Sequence, residues 1–266
     1  MKFIPVPAAL AFAVSASLFT ADASAQYTVK LGGAYFDTNA SSTKLHGQLP
    51  AVSSQYGYLG NIDMAAGPSL EVQNKGTVTL TIERALTDHW SVELLMGNPP
   101  KHDVKLRTGD LTLAPTATLA GGNPTLQAGA VRQTRAKLVA DDGVVVATVR
   151  QWSPTFFVNY KFGEASARLR PFVGLGLNVT RFKARTNDVG DQIYNDGKAY
   201  VHLSDSYGPA AQAGLSYKLD AHWSLNASVI TARVDNKLII ETNHSRQEAS
   251  FRFMPTVWTA SVGYSF

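Results

Sequence analysis

The last sixteen residues, Phe251 to Phe266, read FRFMPTVWTASVGYSF. Counting back from the end, Phe266, Tyr264, Val262, Ala260 and Trp258 fall on one face of an extended chain, and Ser265, Gly263, Ser261 and Thr259 fall on the other. Alternation of period two marks a strand whose two faces meet unlike surroundings. A soluble edge strand rarely finishes on an exposed aromatic, whereas a strand facing lipid outside and a polar lumen inside requires this order. The stretch reads as the closing strand of a transmembrane barrel; the competing reading is the last strand of a soluble sandwich.

Seven further stretches repeat the pattern, at Tyr27 to Asp37, Thr77 to Leu86, Trp90 to Met96, Val149 to Phe162, Val173 to Val179, Tyr207 to Leu219 and Trp223 to Val229. The turns Thr87-Asp88-His89 and Asp220-Ala221-His222 are short, so the strands they join are antiparallel neighbours. Between these pairs lie four long connections, Thr38 to Lys75, Lys101 to Thr148, Lys183 to Ser206 and Asp235 to Ser250. Long loops on one rim and short turns on the other describe an all-β fold, an eight-stranded antiparallel transmembrane β-barrel of the outer-membrane type. The long loops are expected outside the cell. In the second of them, Ala140-Asp141-Asp142-Gly143 between β-rich flanks predicts a hairpin above the membrane.

The amino end gives the address. Lys2, an apolar run from Ala8 to Phe19, and Ala23-Ser24-Ala25 form a signal peptide over residues 1–25, leaving 26–266 as one barrel domain. Cysteine is absent, which excludes disulfides, thiolate metal sites and thiol nucleophiles, and nothing calls for a cofactor or a metal. A net charge of +4 argues against nucleic acid and suits the acidic head groups of outer-membrane lipid and lipopolysaccharide. With 45% hydrophobic residues and a mean hydropathy of −0.06, apolar and polar residues must be interleaved.

Parity and height sort the inward residues. Near the short turns Lys30, Glu83, Glu93, Lys161 and Lys218, with Asn159 and Asn226, are expected to form a paired polar floor, since eight strands enclose little more than their own side chains. Higher up the inward set is mostly apolar: Leu95, Phe157, Phe182, Ile230, Phe253 and Val257, with Phe36, Ala210 and Ala232. An apolar basin over a polar floor points to small hydrophobic solutes. Pro99 and Pro100 on one strand and Pro154 on its neighbour lack ladder donors at one level, where the strands would part to give a lateral exit into the membrane. Tyr27, Trp90, Tyr160, Phe162, Tyr217, Trp223, Tyr264 and Phe266 are expected as an aromatic girdle at the short-turn rim, with Tyr35, Trp152 and Tyr207 at the other.

Several motifs together resemble the outer membrane protein W (OmpW) family, which includes the AlkL-type alkane importers. They are LTDHWSVELL (86–95), PPKHDV (99–104), SPTFFVNYKFG (153–163), RPFVGLGLNVTRF (170–182), DAHWSLNASV (220–229) and the terminal GYSF. The resemblance implies an eight-stranded barrel with a hydrophobic lumen and a lateral exit, carrying small hydrophobic molecules passively. The connection Lys101 to Thr148 is longer than is usual in that family. The strand ending at Phe266 would be presented to the barrel assembly machinery, as in outer-membrane barrels generally. Two other classes compete: a structural or adhesive barrel acting through its loops, and a lipid-modifying enzyme. An enzyme needs a histidine with a serine or carboxylate partner. His46, His102, His202 and His244 fall in loops or strand ends and His89 and His222 in the opposite turns, with no spacing that fixes a triad.

Overall fold

The computed structural model describes residues 27–266, so the expected signal peptide lies outside the described residues. In chain order the strands are β1 (Tyr27–Asp37), β2 (Ala40–Ser41), β3 (His46–Ser53), β4 (Gly57–Ala66), β5 (Ser69–Val72), β6 (Lys75–Ala85), β7 (Trp90–Gly97), β8 (Lys101–Arg107) and β9 (Thr112–Pro115). After helix α1 (Pro124–Ala140) come β10 (Val145–Trp152), β11 (Thr155–Lys161), β12 (Leu169–Thr186), helix α2 (Asp188–Tyr194), β13 (Tyr200–Leu203), β14 (Ser206–Lys218), β15 (Trp223–Ala232), β16 (Val234–Glu241), β17 (Arg246–Phe253) and β18 (Thr256–Ser265).

Eight of these form the barrel, in the order β11-β7-β6-β1-β18-β15-β14-β12, and β11 pairs with β12 to close the ring. The two ends of the described chain meet in it: Tyr35 pairs with Trp258, Thr28 with Ser265, and the Phe266 amide donates to the Tyr27 carbonyl at 2.9 Å. Closure leaves no strand edge unpaired, the condition for a sheet to sit in hydrocarbon. The outer face is apolar and unburied by protein, with Leu31 61%, Leu175 74% and Leu177 67% exposed beside Val78, Val158, Leu215, Leu225 and Val262. In water this belt would be a severe liability; in a bilayer it is the lipid contact.

Six of the eight aromatics expected at the short-turn rim, all but Tyr27 and Tyr217, form two matching clusters. Trp90 meets Tyr160 edge-on at 5.0 Å and Tyr160 meets Phe162 at 5.1 Å; Trp223 meets Tyr264 at 5.0 Å and Tyr264 meets Phe266 at 5.0 Å. The cause is a repeated turn. Thr87 Oγ1 accepts from the His89 and Trp90 amides, and Asp220 Oδ1 accepts in the same way from His222 and Trp223.

The four long connections are folded structure. β12 runs on past the barrel to pair with β10, followed by β8, β5 and β2, and a second sheet, β13-β16-β17-β3-β4-β9, faces them. Between them lies an apolar core that includes Leu45, Leu49, Ile62, Met64, Leu106, Leu119, Leu238 and Phe251. The result is a hood over the barrel, built because the inward residues of these strands, such as Val234, Leu238 and Ile240 on β16, can be removed from water only against one another.

The hairpin expected around Ala140 to Gly143 differs. The turn is present, but a helix precedes it: Asn123 caps α1 by accepting from the Thr125 and Leu126 amides, and Pro124 stands at its first turn. The strand after the turn, β10, takes β8 as its partner instead, with Val145 opposite Lys105. The strand expected from Val149 to Phe162 is likewise broken at Ser153-Pro154 into β10 and β11.

Candidate functional site

The lumen is layered along its axis. At the short-turn end a polar vestibule is lined by Arg170, Lys218, Asp220 and the lower faces of Lys30 and Glu83. Arg170, buried and not singled out by the sequence, donates to the carbonyls of Asp88 at 2.6 Å and of Phe162 and Gly163 at 3.3 Å, tying two turns together.

Above it the floor closes on charge. Lys30 Nζ lies 2.7 Å from Glu83 and 3.0 Å from Glu93, and Lys161 Nζ lies 2.5 Å from the other Glu83 oxygen. Asn159 donates to Glu93 at 3.1 Å, and Gln212 donates to Asn159 at 2.7 Å. Gly174 on β12 leaves the room that Asn159 occupies, since a β-carbon there would run into its amide oxygen. Two cations and two anions thus cancel within a hydrogen-bonded network, the arrangement that makes buried charge tolerable. Lys218 stands apart from it. Its ammonium is exposed and donates to the Ala165 carbonyl at 2.6 Å, because its strand position is one residue from the turn rather than at floor height.

Next comes an apolar layer of Phe157, Ile230, Val257, Ala210, Ala232 and Ala34, with Phe36 and Leu95 against it. Phe157 is wholly buried. Its ring lies across the lumen because its strand partner is Gly176, where a β-carbon would come within 2.8 Å of the ring.

Above that layer the hood encloses an apolar cavity whose wall includes Phe182, Phe253, Leu45, Met64, Val104, Val149, Leu238 and Phe251. Its volume is only about 70 Å³, so it is a narrow slot. The six apolar residues singled out by parity therefore divide. Phe182 and Phe253 line the slot, while Leu95, Phe157, Ile230 and Val257 pack together beneath it.

A few polar groups line the same slot. Tyr194 donates to Gln247 at 3.0 Å, Gln247 donates to the Gln48 carbonyl at 3.1 Å, and Thr38 donates to the Val72 carbonyl at 2.7 Å. His102, wholly buried on β8, has Nδ1 at 2.9 Å from the Gln73 carbonyl. Burial holds its pKa below the ordinary histidine value despite that carbonyl, so its ring is neutral at ordinary pH. The alternating pattern around PPKHDV points inward at His102, but its distance from the lumen cannot be read without the hood's pairing.

The prolines sit at one seam. β7 stops at Gly97 and β8 begins at Lys101, while β10 stops at Trp152 and β11 begins at Thr155. Pairing across it runs up to Leu95 opposite Thr155 and resumes at Lys101 opposite Arg150; between them the Gln151 amide donates to the Pro100 carbonyl at 3.2 Å. Gln151 and His102, which flank the seam, both line the slot. Among the described residues no group of three or more His, Cys, Asp or Glu side chains is placed to hold a metal ion.

A family model described as "OmpW family" matches residues 44–266. Outer membrane protein W of Escherichia coli (strain K12) is 28% identical over 240 residues, covering 90% of this chain and 95% of that one. Outer membrane protein W of Vibrio cholerae is 29% identical over 198 residues, covering 74% and 76%. In structure, the outer membrane protein OprG of Pseudomonas aeruginosa superposes with a TM-score of 0.64 at 21% identity, over 91% of this chain and 96% of that one. The outer membrane protein AlkL superposes with a TM-score of 0.50 at 16% identity, over 93% and 95%.

Proposed function

The chain belongs to the OmpW family and is an outer-membrane β-barrel in contact with membrane lipid, and on that premise we propose that it is a passive channel for small hydrophobic molecules rather than an enzyme. The observation that carries this is the apolar slot in the hood, separated by a packed apolar layer from a floor closed by paired charge. A solute would enter through the hood on the outer side of the cell, facing lipopolysaccharide, and rest against Phe182 and Phe253. Leu95, Phe157, Ile230 and Val257 bar its way down, and the charge network below them bars ions and water. The seam at Pro99, Pro100 and Pro154 is the sideways way out into the membrane.

Burying an apolar solute in such a slot is favoured by roughly 25 cal/mol per Å² of surface removed from water. Passage then needs no energy source, because lipid at the exit is a lower-energy destination than water. Insertion would rest on the barrel assembly machinery engaging the strand that ends at Phe266.

The test is uptake of naphthalene into lipid vesicles carrying the barrel, alongside conductance of the same barrel in a planar bilayer. Faster naphthalene uptake with little ion current supports the reading. Uptake no faster than in protein-free vesicles, or a general-porin current, replaces it with a structural or adhesive barrel that acts through its hood.

A further inference from the structure

Two buried polar atoms, in side chains of residues that line the apolar slot, have no hydrogen-bond partner: Nε2 of His102 and Oδ1 of Asn236, whose residues are 0% and 6% exposed. Buried polar atoms of this kind are rare in folded proteins and call for an account. The other polar side chains noted in the slot, Thr38, Gln151, Tyr194 and Gln247, each have a partner within the protein.

The chemistry of the missing partner follows from the histidine. A carbonyl oxygen only accepts, so the ring nitrogen 2.9 Å from the Gln73 carbonyl carries the proton, and Nε2 of the neutral ring holds a lone pair. Phe36 meets the same ring edge-on at 6.1 Å and packs it in that orientation. Asn236 Oδ1 is an acceptor too. Both orphans therefore want a donor.

We infer that the molecule taken by the hood cavity is an apolar chain or ring bearing a hydroxyl group, whose O–H donates to Nε2 of His102. This rests on the channel reading above and narrows its solute. An alkane would leave the histidine unsatisfied. An ether, a ketone or a carboxylate would set acceptor against acceptor, and an ammonium ion would lose its hydration in an apolar slot without a carboxylate to pair with. Unlike each of these, a neutral alcohol or phenol supplies a donor without a charge.

The test uses the full barrel in lipid nanodiscs with 1-octanol and its methyl ether, 1-methoxyoctane, at matched concentrations in the lipid. Occupancy is read from the ring resonances of Phe182 and Phe253, and hydrogen bonding from the nitrogen resonances of the six histidines. The expected result is 1-octanol binding roughly tenfold more tightly than the ether, as one hydrogen bond to a buried orphan gives. The Nε2 resonance of His102 should shift with 1-octanol alone, and His102→Phe should bring the two affinities within about twofold while leaving the ether's unchanged. Equal affinities in the wild-type barrel, a comparison that needs no variant to fold, overturn the hydroxyl inference and leave the hydrophobic channel standing. Binding of neither molecule in the hood removes the channel reading and this inference with it.

Discussion

Glu83 and Glu93 stand directly opposite one another on paired strands, buried inside a closed barrel, with Lys30 Nζ at 2.7 and 3.0 Å from the two carboxylates. Facing anions on neighbouring strands repel unless a cation lies between them. Replacing Lys30 with methionine keeps its volume and removes the bridge. The expected cost is about 3–5 kcal/mol, the penalty for breaking a buried pair. Chemical unfolding of the wild-type and Lys30→Met barrels measures it, and Glu93→Gln, which keeps a hydrogen-bonding group beside Asn159, should cost less. Equal midpoints for all three would mean that water reaches the floor and screens it.

The barrel was legible because a lipid-facing strand has two strictly different neighbours, so Trp258, Ala260 and Val262 must alternate with Thr259 and Ser261. Parity also brought out Lys30, Glu83, Glu93 and Lys161, which are charged residues on inward positions near one end. Height is a weaker signal than parity. Lys218 shares their face but sits one residue from a turn, and counting alone does not separate a floor from a mouth. The hood was not legible. Its strands are short, its pairings join residues far apart in sequence, such as Gln247 with Gly47, and register shifts at Ala51/Val52 and Met64/Ala66 break the alternation that sequence reading depends on. The division of Phe182 and Phe253 from Phe157 follows from that hood and is invisible without it.

Gly176 is where the apolar layer is most sensitive. A methyl group there would meet the Phe157 ring at 2.8 Å and would overlap the Phe156 carbonyl oxygen, which is backbone and has little freedom to move. Gly176→Ala should therefore destabilise the barrel by about 1–3 kcal/mol through overpacking. Pairing it with Phe157→Leu should recover part of the loss by shortening the side chain. No recovery in the double variant would show that the clash is with the strand backbone alone.

Phe266 closes the chain on Tyr27 through its amide and packs edge-on against Tyr264 at 5.0 Å. Phe162 meets Tyr160 in the same geometry within the chain. If the carboxyl-terminal strand is what the assembly machinery engages, deleting Phe266 should lower the amount of heat-modifiable barrel in the membrane, whereas Phe162→Ala should leave it close to wild type. Equal loss from both would assign the aromatic clusters to membrane anchoring in general.

At the tip of the hood, Asp196 accepts from the His244 ring at 2.6 Å, the His244 amide at 2.8 Å and the Thr242 hydroxyl at 2.7 Å. Burial works to raise this carboxyl's pKa, but these hydrogen bonds outweigh it and hold it below the ordinary aspartate value. A carboxylate whose pKa is depressed by folding stabilises the fold above its unfolded value, near 3.9, and that contribution fades as pH falls through the folded value. The amide resonance of His244 should accordingly titrate with a midpoint below the ordinary aspartate range and lose that titration in Asp196→Asn. A midpoint at or above the ordinary value would show that the carboxylate gains nothing from these donors.

The sideways exit makes the sharpest demand on the channel. The chain has no cysteine, so a pair introduced at Lys101 and Arg150, opposite one another on β8 and β10 just above the seam, would form a single defined disulfide. Holding that lip shut should slow naphthalene uptake into vesicles severalfold, and reduction should restore it in the same preparation. A control pair at Val173 and Ala213, partners on β12 and β14 well away from the prolines, should change nothing. The oxidised barrel should still bind naphthalene in the hood, because Lys101 and Arg150 are exposed side chains outside the slot that Phe182 and Phe253 line. Slowed uptake with binding intact places the barrier between slot and lipid, at the break between Pro100 and Pro154. Uptake indifferent to the disulfide would instead require the solute to pass the Phe157 layer and the charged floor. In that case Phe157→Asp, which puts a carboxylate into the path, becomes the variant that slows transport, and the seam is no more than the place where two proline-bearing strands end.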